Sequence, residues 1–277
     1  MEAYVLIDIT LAGELQNKFW LQHKGEHSWI EPVYGLDAPT VSPVLITIEG
    51  AETAGHLDLM MELLNARRPQ LGVSFIESEL GFRQMLAHLR TFIFVRTESG
   101  EKLTFRFADC IALAALRGVM TTDQWRSIVS PIFSWKIHAR DGKLTSLIIP
   151  QPGDAAPTPL LFLNSQLAQI KELMSTDQLL FNLRQMHPFE SDKLETLVAY
   201  ELANQARHMW HSAGKADDID LLLFARSAIA TEGKLLETVD LLNVLAQKDL
   251  AIVRREIQRL VSGSTSGETI LSVSGMH

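Results

Sequence analysis

A chain of 277 residues, 47% hydrophobic and 21% charged, carries enough apolar content for one large core or two modest ones. Its net charge of −8 argues against a surface built to hold nucleic acid, since the basic pairs Arg67-Arg68 and Arg254-Arg255 stand isolated. A single cysteine excludes an internal disulfide, which suits a reducing cytoplasm, and no apolar run approaches the length that spans a bilayer.

Tyr4 to Ile9 reads as a strand with Asp8 inside it and none of the basic residues of a signal peptide. Val44 to Ile48 and Val73 to Ile76 are further strands, with a helical pattern from Gly55 to Asn65 between them. From Ser78 to Leu89 the residues Phe82, Met85, Leu86 and Leu89 follow the 3,4 spacing of one helix face. Ser78 is the expected N-cap, with Glu79 in the first turn where the helix dipole favours an acid. Thr91 to Arg96 fits a strand, and Ser99-Gly100 supplies a tight turn. Lys102 to Phe107 then alternates: Leu103, Phe105 and Phe107 on one face, Lys102, Thr104 and Arg106 on the other. Helical patterns follow at Ile111 to Leu116 and Thr122 to Ile128, the second capped by Thr121 or Thr122. A second hairpin runs from Ser134 to Ile149 and turns at Asp141-Gly142, a pair that favours the type I′ turn.

The segment IPQPGDAAPTP breaks regular structure and places a Pro/Gly-rich linker at residues 151–160. Everything after it reads as helix. One helix is expected from Ser165 to Met186, ending at His187-Pro188 because the residue before proline avoids the helical region. A second opens with Asp192 and Glu195 in capping-box spacing and ends before Gly214, its apolar face being Leu194, Leu197, Val198, Leu202, Ala206 and Met209. A third begins at Asp217 or Asp218 and carries Ile219, Leu222, Leu223 and Ala230. Val239 to Ala246 and Leu250 to Val261 complete the set, and residues 263–277 read as a flexible tail. The expected fold class is therefore an α/β (α+β) sheet-and-helix domain over 1–150, followed by an all-α helical region over 161–262.

Candidate chemistry is sparse. Cys110 beside Asp109, with His88 and His138, can be assembled on paper into a nucleophile site, but a lone cysteine at a strand-to-helix junction reads first as a buried residue. The tail segment GSTSG lacks both the central serine and the preceding strand of a nucleophile elbow. Glu201, Asn204, His208 and His211 share one helix face and offer ligand-type spacing, yet a metal would need a further ligand from another helix. His208 and His211 fit equally as dipole-complementing residues of a last helical turn. Arg106 points away from the apolar face of its strand, where it can pair with Asp109 or Asp8 or meet a partner; the internal pair is the expected role. The five tryptophans are core residues by default, and any left exposed, with Trp135 and Trp210 the named candidates, would anchor a partner.

HLR, a strand, a Ser-Gly turn and FRFAD together resemble the domain family known as DUF4123, found in bacterial type VI secretion gene neighbourhoods. Three more segments fall in the expected order: YVLIDIT (Tyr4 to Thr10), VYGLDAPTVSPVLI (Val33 to Ile46) and QWRSIVSPIFSW (Gln124 to Trp135). The resemblance covers the first half of the chain and makes Tyr34, Pro43, His88, Arg90, Arg106 and Asp109 motif residues with structural roles. It departs at Cys110, where the family usually carries proline at a helix start. What it implies is a cytoplasmic adaptor or chaperone, without cofactor or enzymatic activity. Such a protein binds a secreted effector (a toxin) and helps load it onto the spike protein, VgrG. The α/β part would be the platform and the helical part the grip, with an exposed apolar patch on the isolated fold. The alternatives are an immunity-type or regulatory toxin-binding protein, and an enzyme of unknown class built on Cys110 or on the Glu201/His208 face.

Overall fold

The computed structural model describes residues 1–11, 28–34, 41–65, 70–150, 160–186 and 194–266. They fall in two compact units, Met1–Leu173 and Met174–His277. The strands of the first unit are β1 (Glu2–Ile7), β2 (Ile30–Pro32), β3 (Val44–Thr47), β4 (Val73–Ser78), β5 (Phe94–Thr97), β6 (Lys102–Thr104), β7 (Ile132–His138), β8 (Leu144–Ser146) and β9 (Leu161–Phe162). Six of them form an antiparallel sheet in the order β2-β3-β1-β4-β7-β8. The central strand β1 is buried on both faces, which is why YVLI shows a run of apolar residues and not an alternation. Tyr4 and Leu6 enter one core with Leu45, Ile76, Trp135 and Ile137, while Val5 and Ile7 enter another with Val44, Ile46 and Val73.

Helices cover both faces. α1 (Ile48–Thr53) and α2 (Leu57–Asn65) give Ala51, Met60 and Leu64 to the second core. α3 (Phe82–Arg90), α4 (Cys110–Val119) and α5 (Thr122–Val129) give Met85, Leu89, Leu113 and Trp125 to the first. Thr121, one of the two threonines the sequence offers, caps α5 in a reciprocal box with Gln124. Ser78 does not cap α3. Its hydroxyl donates to the Pro131 carbonyl and accepts the Leu80 N–H, so it ends β4 while the helix starts beyond Gly81.

Both hairpins are built alike. Gly100 donates to the Thr97 carbonyl at 2.9 Å and Gly142 to that of Ala139 at 2.9 Å, with φ of +83° and +77°. Asp141 has no positive φ, so a single left-handed glycine in a bulge replaces the paired left-handed residues of the expected type I′ turn.

Most of the expected linker lies outside the described residues. Beyond it, residues 160–173, read from sequence as part of the linker and the start of the helical region, belong to the first unit. β9 joins β5 in parallel, Arg96 opposite Leu161 and Thr97 opposite Phe162, completing a three-stranded sheet β6-β5-β9. A two-residue strand is too short to show periodicity, which hid it. α6 (Asn164–Leu173) follows, and its buried Gln166 exchanges amide hydrogen bonds with Gln124 at 2.8 and 3.2 Å and donates to the Val119 carbonyl at 3.0 Å. The helix expected to run unbroken to Met186 is interrupted at Met174.

The second unit is all helical: α7 (Ser175–Met186), α8 (Thr196–Ser212), α9 (Asp218–Ala230), α10 (Leu241–Leu245) and α11 (Leu250–Ser266). The capping pair proposed for α8 involves Asp192, outside the described residues, and the Glu195 side chain makes no cap hydrogen bond. Asp217 caps α9 by accepting the Asp220 N–H at 2.8 Å. On α8 the buried stripe is Ala199, Ala203, Ala206 and Trp210, rotated from the expected face, and Val198 is exposed. On α9 Leu221, Phe224, Ala225 and Ala228 are buried while Ile219, Leu223 and Ala230 are not. Counting large apolar side chains passes over alanines, yet the alanines are what let these helices pack closely. α11 continues through Ser266, and the remainder of the expected tail lies outside the described residues. Among the described residues no helix is long and apolar enough to cross a membrane.

Candidate functional site

Phe105 and Phe107 both turn into the first core, and that places Arg106 on the opposite side. There its Nη2 donates to Asp8 Oδ2 at 3.0 Å and meets Asp109 Oδ2 at 3.4 Å. Asp8 sits just past the end of β1, where its Oδ1 also accepts from the Thr10 N–H at 3.0 Å and from the Thr10 hydroxyl. Asp109 serves twice: its Oδ1 accepts the Ile111 and Ala112 N–H groups at 3.0 Å each and so caps α4. Burial raises the Asp109 carboxyl above its ordinary value, against the pull of those amides and of Arg106. Tyr34 faces the same cluster. Its phenol is pushed up to about 12 by burial and by the Asp8 carboxylate, with Arg106 opposing.

The other motif residues hold the segment that carries Tyr34. Arg90 donates through Nε to the Val33 carbonyl at 3.0 Å and through Nη2 to the Pro32 carbonyl at 3.0 Å, and it pairs with Glu31 at 3.4 Å. The Pro43 carbonyl accepts the Val33 N–H at 2.8 Å, and Ser42 Oγ accepts that of Tyr34 at 2.8 Å. Two arginines from distant parts of the chain thus flank residues 31–34, a convergence the sequence does not display.

Cys110 has no access to solvent. Its thiol donates to the Val73 carbonyl at 3.2 Å and is pushed up to about 12 by burial, the reverse of an activated nucleophile. His138 donates through Nδ1 to that same carbonyl at 2.9 Å. His88 meets the Ile128 carbonyl through Nε2 at 2.6 Å, and burial lowers its pKa, so the neutral ring donates there. Both imidazoles are therefore hydrogen-bonded to backbone carbonyls.

Trp135 and Trp210 are fully buried, which removes both from the partner surface proposed for them. Trp135 stacks on Trp125 with centroids 6.1 Å apart and donates to Ser74 Oγ at 3.1 Å, while Trp210 packs on Phe224 at 5.9 Å. These are bulky side chains on core-facing positions of a paired strand and of an alanine stripe. Trp20 lies outside the described residues. Glu201 and His208 are exposed on α8, Asn204 accepts from the Thr176 hydroxyl at 3.0 Å, and His211 meets the Lys215 carbonyl at 3.1 Å. Among the described residues no group of three or more His, Cys, Asp or Glu side chains is placed to hold a metal ion.

Sequence reasoning expected an exposed apolar patch but named none of its residues. Phe94, Phe133, Ile148 and Leu161 are exposed in the first unit, as are Phe181, Ile219 and Leu242 in the second. The second unit also contains a cleft of about 340 Å³ where α9 and α11 meet Trp210.

The first unit is thus an α+β domain whose motif side chains are engaged in internal contacts. Residues 3–127 match the family described as Domain of unknown function (DUF4123), so this stretch of the chain is a DUF4123 domain. No curated protein and no solved structure matches the chain.

Proposed function

We propose that the chain is an adaptor, or chaperone, of type VI secretion that binds a toxic effector in the cytoplasm of the producing cell and helps load it onto the spike protein. The observation that carries this reading is the DUF4123 domain at residues 3–127, taken with the resemblance of its segments to a family found beside type VI secretion genes. The state of the motif residues supports it. Arg90, Arg106 and Asp109 make internal contacts, and the only thiol is buried and protonated at neutral pH. Large apolar side chains exposed on both units favour contact with another protein over chemistry. On this reading the chain is a binding protein and not an enzyme. The sheet domain acts as the platform and the helical unit as the grip.

A tagged full-length chain, recovered from lysate of its own host while the secretion apparatus is being made, tests this. Mass spectrometry should identify a toxin-like protein, with or without the spike. A preparation free of both refutes the adaptor role. Deleting the chain should abolish delivery of that toxin while the producer survives; death of the producer would assign it an immunity role instead.

A further inference from the structure

The sheet β6-β5-β9 has one covered face and one open face. Val95 and Phe162 are buried on the first, with Leu103 packed beside them. The second carries Phe94, Arg96, Lys102, Thr104 and Leu161, and each of these residues is exposed.

Register sets the charges. Arg96 faces Lys102 directly across β5 and β6, and it lies opposite Leu161 across β5 and β9. The Thr97 N–H donates to the Glu101 carbonyl at 3.0 Å, so the next pair along, Arg96 with Lys102, is of the closer, non-hydrogen-bonded kind. Like charges set directly opposite cost stability. Lys102 offsets part of that cost by leaning over the Phe94 ring, its Nζ 3.6 Å from the centroid. Arg96 has no such relief: its guanidinium makes no hydrogen bond or ion pair among the described residues. The nearby acids are engaged or lie on the other side. Glu98 Oε2 accepts the Asn164 N–H at 2.7 Å, and Glu101 stands opposite Thr97, which is buried on the covered face.

The open face thus offers a free guanidinium between two exposed apolar side chains, Phe94 at 45% and Leu161 at 49% exposure, in a chain of net charge −8. A carboxylate suits Arg96, because the planar guanidinium binds it through two parallel hydrogen bonds. Apolar neighbours of that carboxylate would shed water against Phe94 and Leu161. A second copy of the chain is a poor occupant, since a twofold contact would set this cationic pair against itself. Nucleic acid is a poorer one, because the acidic chain as a whole repels it.

We propose that the open face of β6-β5-β9 docks a segment of the effector in which a carboxylate, placed against Arg96, is flanked by apolar side chains. The inference rests on the adaptor reading and names the surface and the chemistry of one cargo contact.

The test titrates the full-length chain calorimetrically with the toxin recovered in the capture experiment, at low and at high salt. Arg96→Glu should weaken binding about tenfold at low salt and by less at high salt. Leu161→Ala should weaken it about threefold at both. Lys248→Glu makes the same charge change at an exposed position of the second unit and should stay within about twofold of wild type. The melting temperature separates docking from a role in the fold. Arg96→Glu places opposite charges across β5 and β6, so it should melt at or above the wild-type temperature while binding less. A lower melting temperature in that variant overturns the proposal, as does an equal loss of affinity in Lys248→Glu. Wild-type affinity for the toxin in either Arg96→Glu or Leu161→Ala overturns it too, even where binding of the spike or self-association changes, and leaves the adaptor role in place. Recovery of no toxin by the wild-type chain overturns the adaptor reading and this inference with it.

Discussion

Replacing Arg106 with alanine tests the electrostatic logic of the first unit. The guanidinium is 52% exposed, but the carboxylates it serves are only 6% (Asp8) and 14% (Asp109) exposed. Breaking a fully buried pair costs about 3–5 kcal/mol, whereas exposed pairs contribute about 0–1 kcal/mol. Asp8 keeps its Thr10 donors in the variant, and Asp109 keeps the α4 amides, so neither anion is left bare. The half-exposed arginine therefore falls between the two limits, and Arg106→Ala should cost about 2 kcal/mol at pH 7. Urea denaturation, with an unchanged slope, reads that loss as a lower midpoint. The pH dependence adds a sharper check. Burial has already raised the Asp109 carboxyl, and removing Arg106 raises it further. A raised carboxyl favours the fold while protonated and loses that contribution as pH climbs through its folded value. The penalty of Arg106→Ala should therefore be full at pH 7 and shrink as pH falls and the raised Asp109 carboxyl takes up its proton. A loss under about 0.5 kcal/mol at pH 7, typical of an ordinary surface change, would refute the reasoning. So would a gap equally wide at both ends of the pH range.

Cys110 should resist a disulfide-exchange reagent at pH 8 in the native chain and react fully in denaturant; rapid native labelling would contradict its burial. Because its folded value is raised from 9.0 to about 12, stability should also decline across that alkaline span, as the unfolded thiol ionises first. His88 shifts the other way. Its contribution is complete above the ordinary value near 6.5 and is lost as pH falls below it, so His88→Gln should flatten the melting temperature against pH in that range. An unaltered slope would count against a neutral, buried ring. Ala203→Leu forces a larger side chain into the fully buried stripe of α8 and should destabilise the chain by about 1–3 kcal/mol in thermal or chemical unfolding; a neutral result would mean the stripe is loosely packed.

Local rules explain which parts of this architecture were visible in the residues. The Ser99-Gly100 hairpin, the start of α5 at Thr121 or Thr122 and the start of α9 at Asp217 or Asp218 depend on neighbours within a few positions, and the structure places the caps at Thr121 and Asp217. Arg106 with Asp8 was also legible, because alternation along KLTFRF leaves the guanidinium on the face away from the core. Ser78 misled, since its competing partner, the Pro131 carbonyl, is distant in sequence. The face of α8 misled because helix proximity selects small residues, and alanine scores weakly in any count of apolar bulk. The cleft could not be read at all: α9 and α11, which line it, are separated in sequence by residues 231–240 and by α10, and only packing brings them together.

β9 ties the first unit to events in time. Phe105 lies 6.4 Å from Phe162, ring to ring, and Leu160 and Phe162 are both buried in the core built by residues of the preceding stretch. During synthesis, every residue of the DUF4123 stretch emerges before these two side chains exist to cover it. The nascent sheet must wait with an open apolar edge, the condition in which partly folded chains associate wrongly, until Gln166 closes against Gln124 and Val119. A product cut at residue 127 would lack β7 and β8 as well as β9, leaving β4 without its β7 neighbour and β5 without β9. The matched stretch marks the family, but the body that folds is longer than the mark.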